Sequence, residues 1–148
     1  MQVREVMTKK VVTVASDFSF PQIVKILVKK KITGVIVVDK NRKPIGVISE
    51  KDLFYKLFPS PKKFYKDIEY YMRYNSHEKD FNRIVKFKAR DFMTKKIISV
   101  SPDDNILKAC SLFLIHNIRR LPVIDNGKLV GIVTTNNIYK NFLSSLMK

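Results

Sequence analysis

The sequence predicts a mixed α/β (α+β) fold: two pseudo-twofold-related βαββα repeats packed through their sheets, with a helical linker between them. Two observations carry this. The segment Val6-Met7-Thr8-Lys9-Lys10-Val11-Val12-Thr13-Val14 returns 86 residues later as Phe92-Met93-Thr94-Lys95-Lys96-Ile97-Ile98-Ser99-Val100, with five of nine positions identical. Each copy then runs through the same order of short β-branched segments and longer amphipathic ones. The 148 residues, 45% of them hydrophobic, suffice for one packed domain or for two half-size units sharing a core. With 28% charged and 11% aromatic residues, four Gly and six Pro, the chain is neither disordered nor a collagen-like or linker protein.

The elements follow in order. Val11–Val14 and Ile97–Val100 read as short strands. Ser16 and Ser101 are the expected helix caps, the second followed by Pro102 and by Asp104 at the capping-box position. The helix of the second copy carries Ile106, Ala109, Cys110, Phe113 and Leu114 on one face, and that of the first carries Ile23, Val24, Ile26, Leu27 and Val28. Val35–Val38 and Leu121–Ile124 read as buried strands. Turns at Asp39-Lys40-Asn41-Arg42 and Asp125-Asn126-Gly127-Lys128 lead into Ile45–Ile48 and Val130–Val133. Second helices start near Glu50 and Thr135. Two units of this size bury little surface alone, so they are expected to pack on each other.

These features together resemble a tandem pair of cystathionine-β-synthase (CBS) domains, the arrangement called a Bateman module. The carrying residues are the paired Met-Thr openings, Arg120-Leu121-Pro122-Val123-Ile124-Asp125, and the endings Gly46-Val47-Ile48-Ser49-Glu50-Lys51-Asp52 and Gly131-Ile132-Val133-Thr134-Thr135-Asn136-Asn137. The resemblance divides the chain into repeat 1 at 1–58, a basic aromatic linker at 59–88 and repeat 2 at 89–148. It implies a stand-alone sensor that binds AMP, ADP, ATP or S-adenosylmethionine in clefts between the repeats, transmits the ligand state to a partner, and forms a disc-like homodimer.

The resemblance also implies the ligand-binding residues. In the first copy these are Thr13, Thr33, Gly34, Val35, Ser49 and Asp52; in the second they are Ser99, Arg119, Arg120, Leu121, Thr134 and Asn137. The chemistry of the endings agrees with it. A helix N-terminus suits phosphate, and a carboxylate on the first turn accepts both hydroxyls of a ribose. The same Ser49-x-x-Asp52 spacing is also an ordinary capping box. Asn137 stands where the family has Asp, and an amide lacks the charge, so the second cleft is expected to be weaker, altered or empty. Arg119 and Arg120 suit phosphate but equally suit a solvated surface. Gly46 and Gly131 allow close approach within a strand.

From Tyr55 to Arg90, ten of 36 residues are Lys or Arg, four are Asp or Glu, and nine are aromatic. Ser60-Pro61 opens an expected helix to about Tyr74, and Ser76 is a candidate cap for another. The aromatics are expected to pack on the core or on a second subunit. The alternative is that basic and aromatic residues together hold single-stranded nucleic acid. The net charge of +16 favours anionic partners without choosing among them, and a lysine-rich proteome gives the same balance. Further alternatives to a ligand sensor are thus a nucleic-acid-binding protein and a ligand-independent protein adaptor. Cys110 reads as core, and His77 and His116 lack partners at zinc spacing. No catalytic constellation, metal site or obligatory cofactor is expected, and no segment is apolar for long enough to span a membrane. A cytoplasmic location is the expectation from the single cysteine and the unremarkable start.

Overall fold

The computed structural model describes residues 1–73 and 81–148. In chain order the labelled elements are α1 (Val3–Val6), β1 (Thr13–Ala15), α2 (Phe20–Lys30), β2 (Gly34–Val38), β3 (Pro44–Ser49), α3 (Glu50–Leu57), α4 (Pro61–Lys66), α5 (Ile68–Met72), α6 (Ala89–Phe92), α7 (Ile106–His116), β4 (Arg120–Asp125), β5 (Lys128–Thr134) and α8 (Thr135–Ile138). A wide π-type turn over Tyr139–Leu143 and the helical turn α9 (Ser144–Leu146) continue α8. The sheets are β1-β2-β3, with β1 parallel to β2, and the antiparallel pair β4-β5. The predicted first strand of repeat 2 is reduced to a single parallel bridge between Val100 and Val123. It matches the Val14–Val37 pair of repeat 1 at the 86-residue offset.

The strand patterns have direct physical causes. Four of the five β2 residues are buried, an apolar run suited to a covered strand. β3 and β5 alternate buried and half-buried positions, the period-2 signature of strands with one inner face. The β4-β5 turn has Asn126 and Gly127 at φ 49° and 76°, the backbone that an Asn-Gly hairpin supplies. The turn before β3 is closed by the Asp39 carboxylate, which accepts from the Asn41 and Lys43 N–H groups at 2.8 and 2.9 Å.

Both long helices start later than the sequence suggested. Ser19, not Ser16, caps α2, with Gln22 reaching back 2.8 Å to the Ser19 N–H. Asn105, not Ser101, caps α7 through the Leu107 N–H at 2.9 Å. Ser101 and Asp104 close a separate turn, in which the Ser101 N–H donates to Asp104 at 2.8 Å. The Lys108 ammonium, 2.8 Å away, and that N–H hold the Asp104 carboxyl below the usual carboxylate range. The buried faces are also narrower than predicted. Ile23 and Leu27 on α2, and Ile106, Ala109 and Phe113 on α7, are buried, while Val28 and Leu114 are 73% and 83% exposed.

Two compact units emerge, and their boundaries cross those of the sequence repeats. One comprises Met1–Val12, Asp39–Ile45 and Lys96–Lys148; the other comprises Thr13–Val38 and Gly46–Lys95. In the first unit, the opening of repeat 1 completes the core of repeat 2. Val3 and Val6 are buried with Ile106, Phe113, Leu121, Val123 and Val133, and Cys110 is half-buried against that cluster. The Val3 and Arg4 N–H groups donate to the Asp104 and Pro102 carbonyls at 2.8 and 2.9 Å. Thr8 bridges antiparallel to Ile132 of β5.

The second unit mirrors this arrangement. The opening of repeat 2 joins the sheet of repeat 1. Thr94 bridges antiparallel to Val47, the Ala89 N–H donates to the Phe18 carbonyl at 2.8 Å, and Phe92 meets Phe20 edge-on at 5.8 Å.

The strand glycines follow from this exchange. A Cβ on Gly131 would lie 2.6 Å from Met7 Sδ and 3.2 Å from the Thr8 carbonyl oxygen; one on Gly46 would lie 2.8 Å from Met93 Cγ. Gly131→Ala is expected to destabilise the protein by about 1–3 kcal/mol, as overpacking does. In urea unfolding, a Met7→Ala, Gly131→Ala double variant should then lose less than the sum of the single losses. Additive losses would show that the two side chains do not compete for the space.

Candidate functional site

The strand-to-helix junctions of the two repeats are built alike. At the end of β3, the Ser49 N–H and hydroxyl both donate to Asp52 Oδ2, at 2.7 and 3.1 Å. The next N–H, from Glu50, donates to the Thr33 carbonyl at 2.8 Å. This bond draws the residues just before β2 against the start of α3. At the end of β5, the Thr134 N–H and hydroxyl both donate to Asn137 Oδ1 at 2.8 Å, and the Thr135 N–H donates to the Arg119 carbonyl at 3.1 Å. The Asn137 N–H returns a bond to Thr134 Oγ1 at 3.2 Å.

The residues expected in the first cleft all lie in one compact unit. Ser49, Asp52, Thr33 and Gly34 come together at the β3-α3 junction. Thr13 stands in β1 opposite Ile36, two residues along β2 from Gly34. Val35 is 1% exposed and belongs to the core, with neither side chain nor backbone open at the surface.

Those expected in the second cleft lie together in the other unit. Thr134 pairs across the hairpin with Arg120, and Arg119 is tied to Thr135. Ser99 immediately precedes the Val100 bridge to β4. Leu121 is fully buried in the core cluster. Gly34 has no side chain at the position where repeat 2 carries Arg120.

The two junctions differ in how far their acid or amide is engaged. Asn137 uses Oδ1 for both Thr134 donors, and its Nδ2 donates to Thr8 Oγ1 at 3.2 Å. Every polar atom of that side chain is therefore in use. Asp52 engages Oδ2 alone in hydrogen bonds to the described residues, which leaves Oδ1 as an open acceptor.

Thr8 was not singled out as a site residue by sequence. The signal was the repeated Met-Thr pair, but its contact with Asn137 spans 129 positions, which no local pattern reveals. Among the described residues no three His, Cys, Asp or Glu side chains come together as a metal group, and no helix is long and apolar enough to cross a membrane. His77 lies outside the described residues, and His116 is exposed in the last turn of α7.

Thr134→Ala removes both hydroxyl bonds of the second junction and should cost about 1 kcal/mol, the usual loss of a helix cap. Thr134→Ser should restore most of it in thermal melts. A Ser variant no more stable than the Ala variant would place the stabilisation elsewhere.

Comparison with known proteins places this geometry. The family model for the CBS domain matches the chain twice, at residues 3–58 and 89–144. The chain is 32% identical over 150 residues to the uncharacterized protein MJ1426 of Methanocaldococcus jannaschii, covering 93% of this chain and 89% of that protein. It is 34% identical over 124 residues to the chloroplastic CBS domain-containing protein CBSX2 of Arabidopsis thaliana, covering 78% of this chain and 52% of that protein. The crystal structure of the CBS-pair protein CBSX2 superposes with a TM-score of 0.80 at 29% identity, over 99% of this chain and 97% of that one. CBSX2 in complex with AMP superposes with a TM-score of 0.74 over 97% of each chain. The CBS domain pair of MJ0100, in complex with 5-methylthioadenosine and S-adenosyl-L-methionine, shares the fold at 23% identity and a TM-score of 0.73.

Proposed function

The chain belongs to the CBS-domain family, with two copies of the domain, and on that premise we propose that it is a non-catalytic regulatory module. It binds an adenosine-containing ligand, of which AMP, ADP, ATP and S-adenosylmethionine are the candidates, and transmits the ligand state to a partner protein. The observation that carries this reading is the Asp52 carboxylate. It caps α3 with one oxygen and keeps the other open beside Ser49, Thr33 and Gly34. A carboxylate so placed accepts a ribose hydroxyl. The ligand phosphate belongs at the N-terminal end of α3, among the helix N–H groups, with the Ser49 hydroxyl turning from Asp52 Oδ2 to meet it. The structure of AMP-bound CBSX2, at 29% identity, supports the ligand class.

The two sites are unequal in this reading. A ribose reaching Asn137 finds the amide oxygen taken by Thr134 and only N–H groups to accept from, one of them already given to Thr8, and gains no charge in return. Asp52→Ala should weaken AMP binding about ten- to a hundred-fold, the effect of losing one charged hydrogen bond. Asn137→Asp should strengthen the second site. Calorimetric titration with AMP, ATP and S-adenosylmethionine separates these outcomes. Parental affinity in Asp52→Ala would show that the ligand does not sit on this carboxylate.

The assembly proposed with it is a homodimer. In the unit that contains the second junction, Leu107, Leu114 and Ile115 are 62%, 83% and 73% exposed along one face of α7, and Tyr139 and Leu146 are each 67% exposed in the C-terminal turns. Apolar stripes of this kind mark association surfaces. A Leu114→Lys, Ile115→Lys variant should sediment as a monomer under conditions where the parent is a dimer. A parent chain that stays monomeric at high concentration would remove the dimer from the proposal.

A further inference from the structure

We propose that α4 and α5, with Phe58 beside them, form a binding site for single-stranded nucleic acid, on observations independent of the adenosine site. The sequence pattern predicts a single helix to about Tyr74, whose aromatics pack on the core or on a second subunit. Instead the chain breaks at Asp67 (φ −145°, ψ 68°), whose carboxylate caps α5 through the Tyr70 N–H at 3.1 Å. Neither short helix has a buried residue. The break brings Phe64 of α4 to 6.2 Å from Tyr71 of α5, while Tyr65, next to Phe64 on α4, meets it edge-on at 5.4 Å. Between them opens a cleft of about 360 Å³, lined by Phe58, Phe64, Tyr65, Tyr71 and Met72. Tyr65 is 73% and Met72 72% exposed.

Charge selects the occupant. Lys62, Lys63 and Lys66 of α4 are all exposed, and among the described residues none of them is in an ion pair. The cleft therefore offers flat apolar rings beside a row of cations. A second copy docking through this same face would set its own Lys62, Lys63 and Lys66 against that rim. An acidic peptide supplies negative charge without planar rings. A single-stranded nucleic acid alternates both, with bases that stack on aromatic side chains and phosphates that meet lysines. A duplex keeps its bases stacked inside and fits less well.

The test is fluorescence anisotropy of a labelled oligothymidylate and an oligouridylate of about ten nucleotides, within the range of single-strand site sizes. Binding should weaken linearly with the logarithm of salt concentration, and Lys62→Ala, Lys63→Ala, Lys66→Ala together should reduce the slope by about 2. Tyr65→Ala, an exposed position where folding is not at stake, should lower affinity about tenfold. AMP should not compete, and Asp52→Ala should bind the oligonucleotide like the parent, which separates this site from the adenosine reading. Several results would overturn the proposal: no binding at low salt, equal competition by polyglutamate, competition by AMP, or full affinity in Tyr65→Ala. So would a sedimentation shift in Tyr65→Ala, which would make the patch a contact between copies.

Discussion

Both compact units depend on one contact, repeated: a methionine from the opening of one repeat lies on a strand glycine of the other. Met7 fills the space over Gly131, and Met93 the space over Gly46. The threonine after each methionine then bridges to the neighbouring strand residue, Thr8 to Ile132 and Thr94 to Val47. These bridges give partners to backbone groups that a bare strand edge would present to solvent. They also bring in the apolar side chains that close each core, Val3 and Val6 in one unit and Ala89 and Phe92 in the other. The sequence repeat is thus not the folding unit. Each sheet is completed by a segment that lies most of a repeat length or more away along the chain, so the two halves depend on each other for their cores.

This dependence explains which features were legible in the sequence. The 86-residue repeat, the β-branched runs and the Asn-Gly turn are local or periodic signals, and the corresponding strands appear, except that Ile97–Val100 forms only the Val100 bridge. The helix caps were misplaced because Ser16 and Ser101 satisfy the same local pattern as Ser19 and Asn105. The surrounding structure decides between them. The Ser16 carbonyl accepts from the Arg90 N–H at 3.0 Å, and Ser101 is held in its own turn with Asp104. Leu114 looked like a core residue on helical spacing alone, yet Leu112 packs against the core cluster in its place. Periodicity gives the existence of an apolar face more reliably than its edges. The break at Asp67 had no Gly or Pro to announce it.

For the candidate site, the motif alone left a cap and a ligand contact as rival readings of Ser49-x-x-Asp52. The geometry makes them compatible. A capping carboxylate spends one oxygen on the helix start and has a second to offer. An amide has one oxygen and one nitrogen, so once its oxygen serves the cap only donors remain. In Asn137 one of those donors is given to Thr8. The single Asp-to-Asn difference between the repeats therefore changes more than charge: it removes the open acceptor and ties the side chain into a neighbouring segment.

That tie joins the site to the exchanged opening. Thr8 bridges β5 through its backbone and accepts from Asn137 through its side chain, one residue beyond the methionine that covers Gly131. A group that took this N–H from Thr8 would act directly on the opening of repeat 1. The first junction is wired differently. A carboxylate donates nothing, and Asp52 has no N–H with which to hold Thr94 in the same way. Asp52 thus has no side-chain tie to the opening of repeat 2 of the kind that joins Asn137 to the opening of repeat 1. Near-identical backbone geometry at the two junctions therefore yields one side chain with an open acceptor and one tied to the packing of the chain's first residues.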